Sequence, residues 1–118
     1  MGTSHLHRTD FSKQTPITSA DVVLNGNWGA SPTLDVVAGS NDQRGGIIVT
    51  PDTGAAGTPG WTLTFRDGAW DSAPFALVVR AGASPPPSNT TTITTLTIIQ
   101  SGAFVVGTPI VYDYFVIG

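Results

Sequence analysis

From Asp21 onward, short apolar runs alternate with clusters of turn-forming residues, the pattern of an antiparallel β-sandwich or barrel. The first predicted strand is Asp21–Asn25, closed by Asn25-Gly26-Asn27, and the second is Thr33–Ala38. A turn at Gly39-Ser40-Asn41-Asp42 leads into a third strand over Gly46–Thr50, followed by a small-residue loop over Pro51–Gly60. Trp61–Arg66 alternates most cleanly, with Trp61, Leu63 and Phe65 on one face and Thr62, Thr64 and Arg66 on the other. Asp67-Gly68 is a tight-turn dipeptide. Phe75–Ala81 follows Pro74, with Phe75, Leu77 and Val79 on one side, and the prolines of Ala83–Asn89 interrupt any ladder.

The alternation of Thr90–Gln100 slips near Thr94-Thr95, which predicts two strands or one bulged strand. Pro109–Ile117 closes the chain. Both of its faces are largely apolar: Ile110, Tyr112, Tyr114 and Val116 on one, Val111, Asp113, Phe115 and Ile117 on the other. Such a strand is expected to be covered on both sides, centrally in the fold or at a subunit interface.

Residues 1–20 break this pattern. They hold both histidines and Lys13, with few apolar side chains, and show neither a helical nor a strand period. They are expected to form an extended N-terminal attachment arm on a single β-domain over residues 21–118, with Leu6, Arg8, Phe11 and Ile17 as its contact residues.

Composition sharpens the class. All eight acidic residues are Asp, Glu is absent, and Lys13 is the single lysine, while Gly (14), Pro (9) and Thr abound. Strong helix formers are scarce and turn and strand formers dominate, so long helices are not expected. Five scattered basic residues against a net charge of −3 argue against nucleic acid as partner. Charged residues at 11% leave the surface of a lone copy poorly solvated, which suggests cover by sister subunits. With no cysteine, disulfides and thiolate metal sites are excluded. No secretory pattern is seen in residues 1–20, and no apolar stretch has the length of a membrane-spanning helix.

The candidate chemistry is thin. His5 and His7 form an H-x-H pair that could share a metal across a trimer axis, but two ligands do not make a site, and no metal or other cofactor is expected. Asp42, Asp67 and Asp71 lack the density of a calcium loop, and Asp67 reads as a turn residue. Asp113, among apolar neighbours, is expected to pair with an arginine or point outward. Trp28, Trp61, Trp70, Tyr112 and Tyr114 could line a carbohydrate face, although such residues more often fill a core. No serine–histidine–acid arrangement and no phosphate-cradling glycine motif is present, and the protein is expected not to be an enzyme.

The stretches Gly39–Gly45 (GSNDQRG), Leu63–Pro74 (LTFRDGAWDSAP) and Tyr112–Gly118 carry a resemblance. Over residues 25–118 the chain resembles a β-domain of structural proteins of tailed bacteriophages of actinobacteria, found in small head-associated proteins and at fibre ends. The resemblance implies a homotrimer around a three-fold axis and brings no catalytic residues. Taken with the polar arm, it implies a capsid decoration protein on the virion surface, made in the host cytoplasm, that binds the major capsid protein and stabilises the head. Val111, Asp113, Phe115 and Ile117 are then expected at the trimer interface. The alternative is a tail- or head-fibre tip that binds a host glycan through Trp70, Asp71 and Pro85–Pro87.

Overall fold

The computed structural model describes residues 13–81, 86–100 and 104–118. Its strands are β1 (Val22–Leu24), β2 (Thr33–Val36), β3 (Arg44–Thr50), β4 (Gly60–Thr64), β5 (Phe75–Arg80), β6 (Ser88–Thr91), β7 (Thr95–Ile99) and β8 (Ile110–Ile117). They form two antiparallel four-stranded sheets, one ordered β1-β4-β7-β6 and the other β2-β3-β8-β5. The architecture is a β-sandwich, one of the two forms that the alternation allows. The slip at Thr94-Thr95 resolves as two strands: Thr92 Oγ1 accepts the N–H groups of Thr94 (3.1 Å) and Thr95 (3.0 Å) and closes the β6–β7 hairpin.

The core lies where the two best-alternating strands meet. Trp61 and Leu63 of β4 face inward, in register with Ile98 and Leu96 of β7. Across the interior, β8 presents Ile110, Tyr112, Tyr114 and Val116, all buried. The Trp61 ring meets Tyr112 edge-on at 5.8 Å and Tyr114 at 6.4 Å. Such pairs contribute about 0.5–1.5 kcal/mol beyond their burial. Both phenols are satisfied: Tyr112 donates to Gln100 Oε1 and Tyr114 to the carbonyl of Asn41. Trp28 sits on a 3-10 turn (Gly26–Trp28), fully buried, and its indole N–H donates to Gly60 O at 2.7 Å. Gly29 follows at φ +105°, where a Cβ would stand 2.4 Å from Asp52 O, so only glycine fits.

The register of β8 also settles the parity of β5. Ala76 pairs with Val116 and Val78 with Tyr114, so the small Ala76 and Val78 turn inward beside bulky tyrosines. Phe75, Leu77 and Val79 turn outward.

The expected arm boundary at residue 20 is corrected. From Lys13 on, the chain belongs to the sandwich. Ile17 is 5% exposed and sits in the core, and its N–H donates to Ser40 O at 2.8 Å. It is therefore not available as an attachment residue. Lys13 is buried, donates to Gly68 O (3.2 Å) and Ala69 O (2.9 Å), and lies 5.1 Å above the Trp70 ring. Thr15 N–H donates to Asp67 Oδ2 at 2.8 Å. Asp21 caps the turn through Thr18 N–H (2.9 Å) and pairs with Arg66 at 3.4 Å. A segment without periodicity is thus tied down by side-chain-to-backbone bonds that no alternation pattern reveals.

Asp42 anchors the same region. It is fully buried, and its two carboxylate oxygens accept the N–H groups of Arg66 (2.7 Å) and Asp67 (2.8 Å). Burial pushes its carboxyl above the ordinary carboxylate range, and the two N–H bonds pull against that shift. An asparagine would offer one acceptor and turn an NH2 group toward the other donor. Asp42→Asn is therefore expected to lower the unfolding free energy by about 1–3 kcal/mol. Ile17→Ala is expected to lower it by about 2–5 kcal/mol. Urea unfolding of each variant against the wild type measures both.

The buried tyrosines set an alkaline limit. Burial pushes the Tyr112 phenol up to about 12, slightly offset by Arg80, and raises Tyr114 as well, with the Asp42 charge adding to burial. An unfolded tyrosine ionises near pH ~10. The stabilisation is therefore fully present below that pH and is lost as pH climbs through the folded value. The unfolding free energy is expected to fall above pH ~10, by up to about 1.4 kcal/mol per pH unit for each tyrosine. Tyr112→Phe is expected to remove about half of that slope. Urea titrations on both sides of this pH read it.

Candidate docking surface

The two sheets turn different outer faces to solvent. On the β1-β4-β7-β6 sheet the outer positions are Thr62 and Thr64 of β4 and Thr95 and Thr97 of β7, joined by isolated apolar residues such as Val23. Thr62 and Thr97 share a hydroxyl contact at 3.0 Å. This face can hydrogen-bond water at most positions.

The outer face of the other sheet is apolar where β8 meets β5. Ile117 stands opposite Phe75, and Phe115 opposite Leu77. Their exposures are 54%, 69%, 46% and 57%, and Val79 at 42% adjoins them. Val111 is half-buried on the same side. Large apolar side chains in adjacent register on an exposed face are uncommon on a solitary soluble domain and mark interaction surfaces. Toward the middle of the sheet the chemistry changes. Asp113 lies opposite Val79 on one side and Gly46 on the other, and Arg44 lies opposite Phe115. Gly45, Gly46, Val37, Arg44 and Asp113 line an open hollow of about 360 Å³ beside the apolar rows. Gly46 lets Val37 pack directly against the strand there; a Cβ at this position would stand 2.8 Å from Val37 Cγ2.

The four residues expected at a subunit interface, Val111, Asp113, Phe115 and Ile117, therefore share one outward face, with Asp113 pointing to solvent. The strand itself is central in its sheet but covered on one side only, so the expectation of cover on both faces is not met within a single chain. The sequence reading did not assign Phe75, Leu77 and Val79 to this face. Their spacing places them together, but only the register against β8 decides that they look outward.

The carbohydrate reading loses its aromatics. Trp28, Trp61, Tyr112 and Tyr114 are core residues. Trp70 is half-buried: Phe65 packs edge-on at 5.9 Å, Lys13 covers the ring, and Gly118 lies against it. Asp71 is exposed; of the three prolines, Pro86 is exposed, Pro87 buried, and Pro85 falls outside the described residues. Lys13 and Gly118 meet on the Trp70 indole, and Gly118 follows the Ile117 that pairs with Phe75. The chain thus enters the described domain beside one end of the apolar face.

Leu6, Arg8 and Phe11, expected to make attachment contacts, lie outside the described residues, as do His5 and His7. Among the described residues no group of three His, Asp or Glu side chains is placed to hold a metal. No helix among them is long and apolar enough to cross a membrane. Asp42 and Asp67 do come together, but through backbone: the carboxylate of Asp42 holds the N–H of Asp67. No protein-family model, curated protein or solved structure matches the chain.

Proposed function

We propose that the protein is a non-catalytic structural subunit of a tailed-bacteriophage virion, a capsid decoration protein that binds the capsid surface as a homotrimer. The observation that carries the reading is the exposed apolar face formed by Phe75, Leu77, Phe115 and Ile117, which suits a protein that functions by being covered. The sequence resemblance to phage head-associated β-domains supplies the setting. In this role the module is a rigid plug, and residues 1–12, with Leu6, Arg8 and Phe11, reach the major capsid protein by strand addition. Three such segments acting from one trimer gain from avidity, so a weak individual contact suffices. The added contacts between capsomers oppose internal pressure on the shell. A glycan-binding fibre tip is favoured less, because the aromatic rings that would stack on a sugar are covered by the protein itself.

The arm must be tested at its corrected boundary. Removing residues 1–20 would strip Lys13 and Ile17 from the sandwich, whereas removing residues 1–12 leaves every contact described above in place. The full chain is expected to sediment with empty capsids of the phage that encodes it. The chain lacking residues 1–12 is expected to stay in the supernatant with an unchanged unfolding midpoint. Full decoration by the truncated chain would remove the arm from the mechanism, and failure of the intact chain to bind shells would overturn the decoration role.

A further inference from the structure

We infer that Asn25 is a site of spontaneous deamidation, and that the loop over residues 51–60 restrains the reaction for as long as it stays closed on the Asn25–Asn27 turn. The inference is independent of the assembling role proposed above.

The chemistry follows from the pair Asn25-Gly26. Of the asparagines Asn25, Asn27, Asn41 and Asn89, only Asn25 precedes a glycine. In such a pair the glycine backbone nitrogen, its proton passed to hydroxide, forms a bond to the asparagine Cγ. The Cγ–Nδ2 bond breaks, and the amide nitrogen leaves as ammonia with a proton taken from water. One water molecule then opens the cyclic imide. Attack at one carbonyl gives aspartate; attack at the other gives isoaspartate, in which the backbone runs through the former side chain. Nothing is oxidised or reduced. A side chain on the following residue obstructs the ring closure, and glycine presents none.

The structure leaves this pair open to water. Asn25, Gly26 and Asn27 are all exposed. A Cβ built on Gly26 meets nothing within 4 Å, and Gly26 is not among the glycines of positive φ. Neither space nor backbone conformation therefore calls for glycine here, in contrast to Gly29.

What holds the reaction back is the grip on the amide. Asn25 Nδ2 donates to Thr58 O at 3.1 Å, and Asn25 Oδ1 accepts the Asn27 N–H at 3.0 Å. Asn27 Nδ2 donates to the same Thr58 carbonyl at 3.2 Å. The Asn25 N–H donates to Gly60 O at 3.0 Å, and the Ala56 N–H to Asn27 O at 3.1 Å. Bonded through both its oxygen and its nitrogen, the amide cannot turn its Cγ onto the Gly26 nitrogen until the loop lets go. The reaction then proceeds from the locally opened state, at a rate set by how often that state is visited. An aspartate product has no N–H to offer Thr58 O, so each conversion also favours the open loop.

The test is incubation of the purified full chain at mildly alkaline pH, folded or in guanidinium chloride, with conversion at each asparagine read by peptide mapping and mass spectrometry. In denaturant Asn25 is expected to convert ahead of Asn27, Asn41 and Asn89. In the folded chain it is expected to convert more slowly by about tenfold or more. Gly26→Ala is expected to slow Asn25 in denaturant toward the other asparagines. Asn27→Ala, with Asn27→Ser as the second variant should the first not fold, removes one bond to Thr58 O. It is expected to speed conversion at Asn25 in the folded chain and to leave the rate in denaturant unchanged. Equal rates at Asn25 in the folded and unfolded chain would overturn the inference. So would an unfolded Asn25 no faster than the other three, an undiminished rate in unfolded Gly26→Ala, or a folded Asn27 variant with the wild-type rate. None of these readings depends on capsid binding or on the number of chains that associate.

Discussion

Strand β8 carries apolar residues at both parities, and a strand in a two-layer sandwich can bury only one of them against its partner sheet. Its choice organises the molecule. Ile110, Tyr112, Tyr114 and Val116 turn inward under Trp61, and the remaining set is forced out. Neighbouring strands inherit the decision through register. Ile47 and Val49 of β3 go in opposite Tyr112 and Ile110, and Ala76 and Val78 of β5 go in opposite Val116 and Tyr114. A shift of one residue would bury Asp113 and expose two tyrosines. The alternative register is therefore disfavoured by the burial of a charge as well as by lost packing.

The inward choice also requires polar partners at depth. The phenols of Tyr112 and Tyr114 reach Gln100 and the Asn41 carbonyl, which ties the core to the segments that end β7 and precede β3. From Asn41 the chain passes to Asp42, whose carboxylate grips the Arg66–Asp67 turn, and that turn in turn holds Thr15. A continuous polar seam thus runs from the core to the N-terminal segment. It explains how residues 13–21, with few apolar side chains of their own, become part of the domain.

The functional consequence is an asymmetric object. One outer face is rich in threonine and compatible with water; the other holds two phenylalanines and several aliphatic residues in adjacent register. Lys13, the first described residue, and Gly118 meet on Trp70 at one end of that second face. An apolar face in adjacent register beside that corner suits contact with another surface. Here the one deeply buried carboxylate among the described residues, Asp42, is taken up by two backbone N–H groups.

The sequence by itself determined the class of structure. Period-two alternation, turn dipeptides and the scarcity of helix formers predicted an all-β sandwich or barrel, placed each strand to within a few residues, and marked Val111, Asp113, Phe115 and Ile117 as one face. These properties are local, since side-chain alternation and turn chemistry are set by neighbours along the chain. Only the tertiary structure decided which face of β5 looks outward, where the arm ends, and what Asp42 does. Alternation puts Phe75, Leu77 and Val79 on one side of their strand without saying which way it looks; pairing with β8 turns them outward. Lys13 and Ile17 read as arm until the Asp67–Ala69 turn and Ser40 supply partners. Each of these rests on contacts between residues far apart in sequence, where no local period carries a signal.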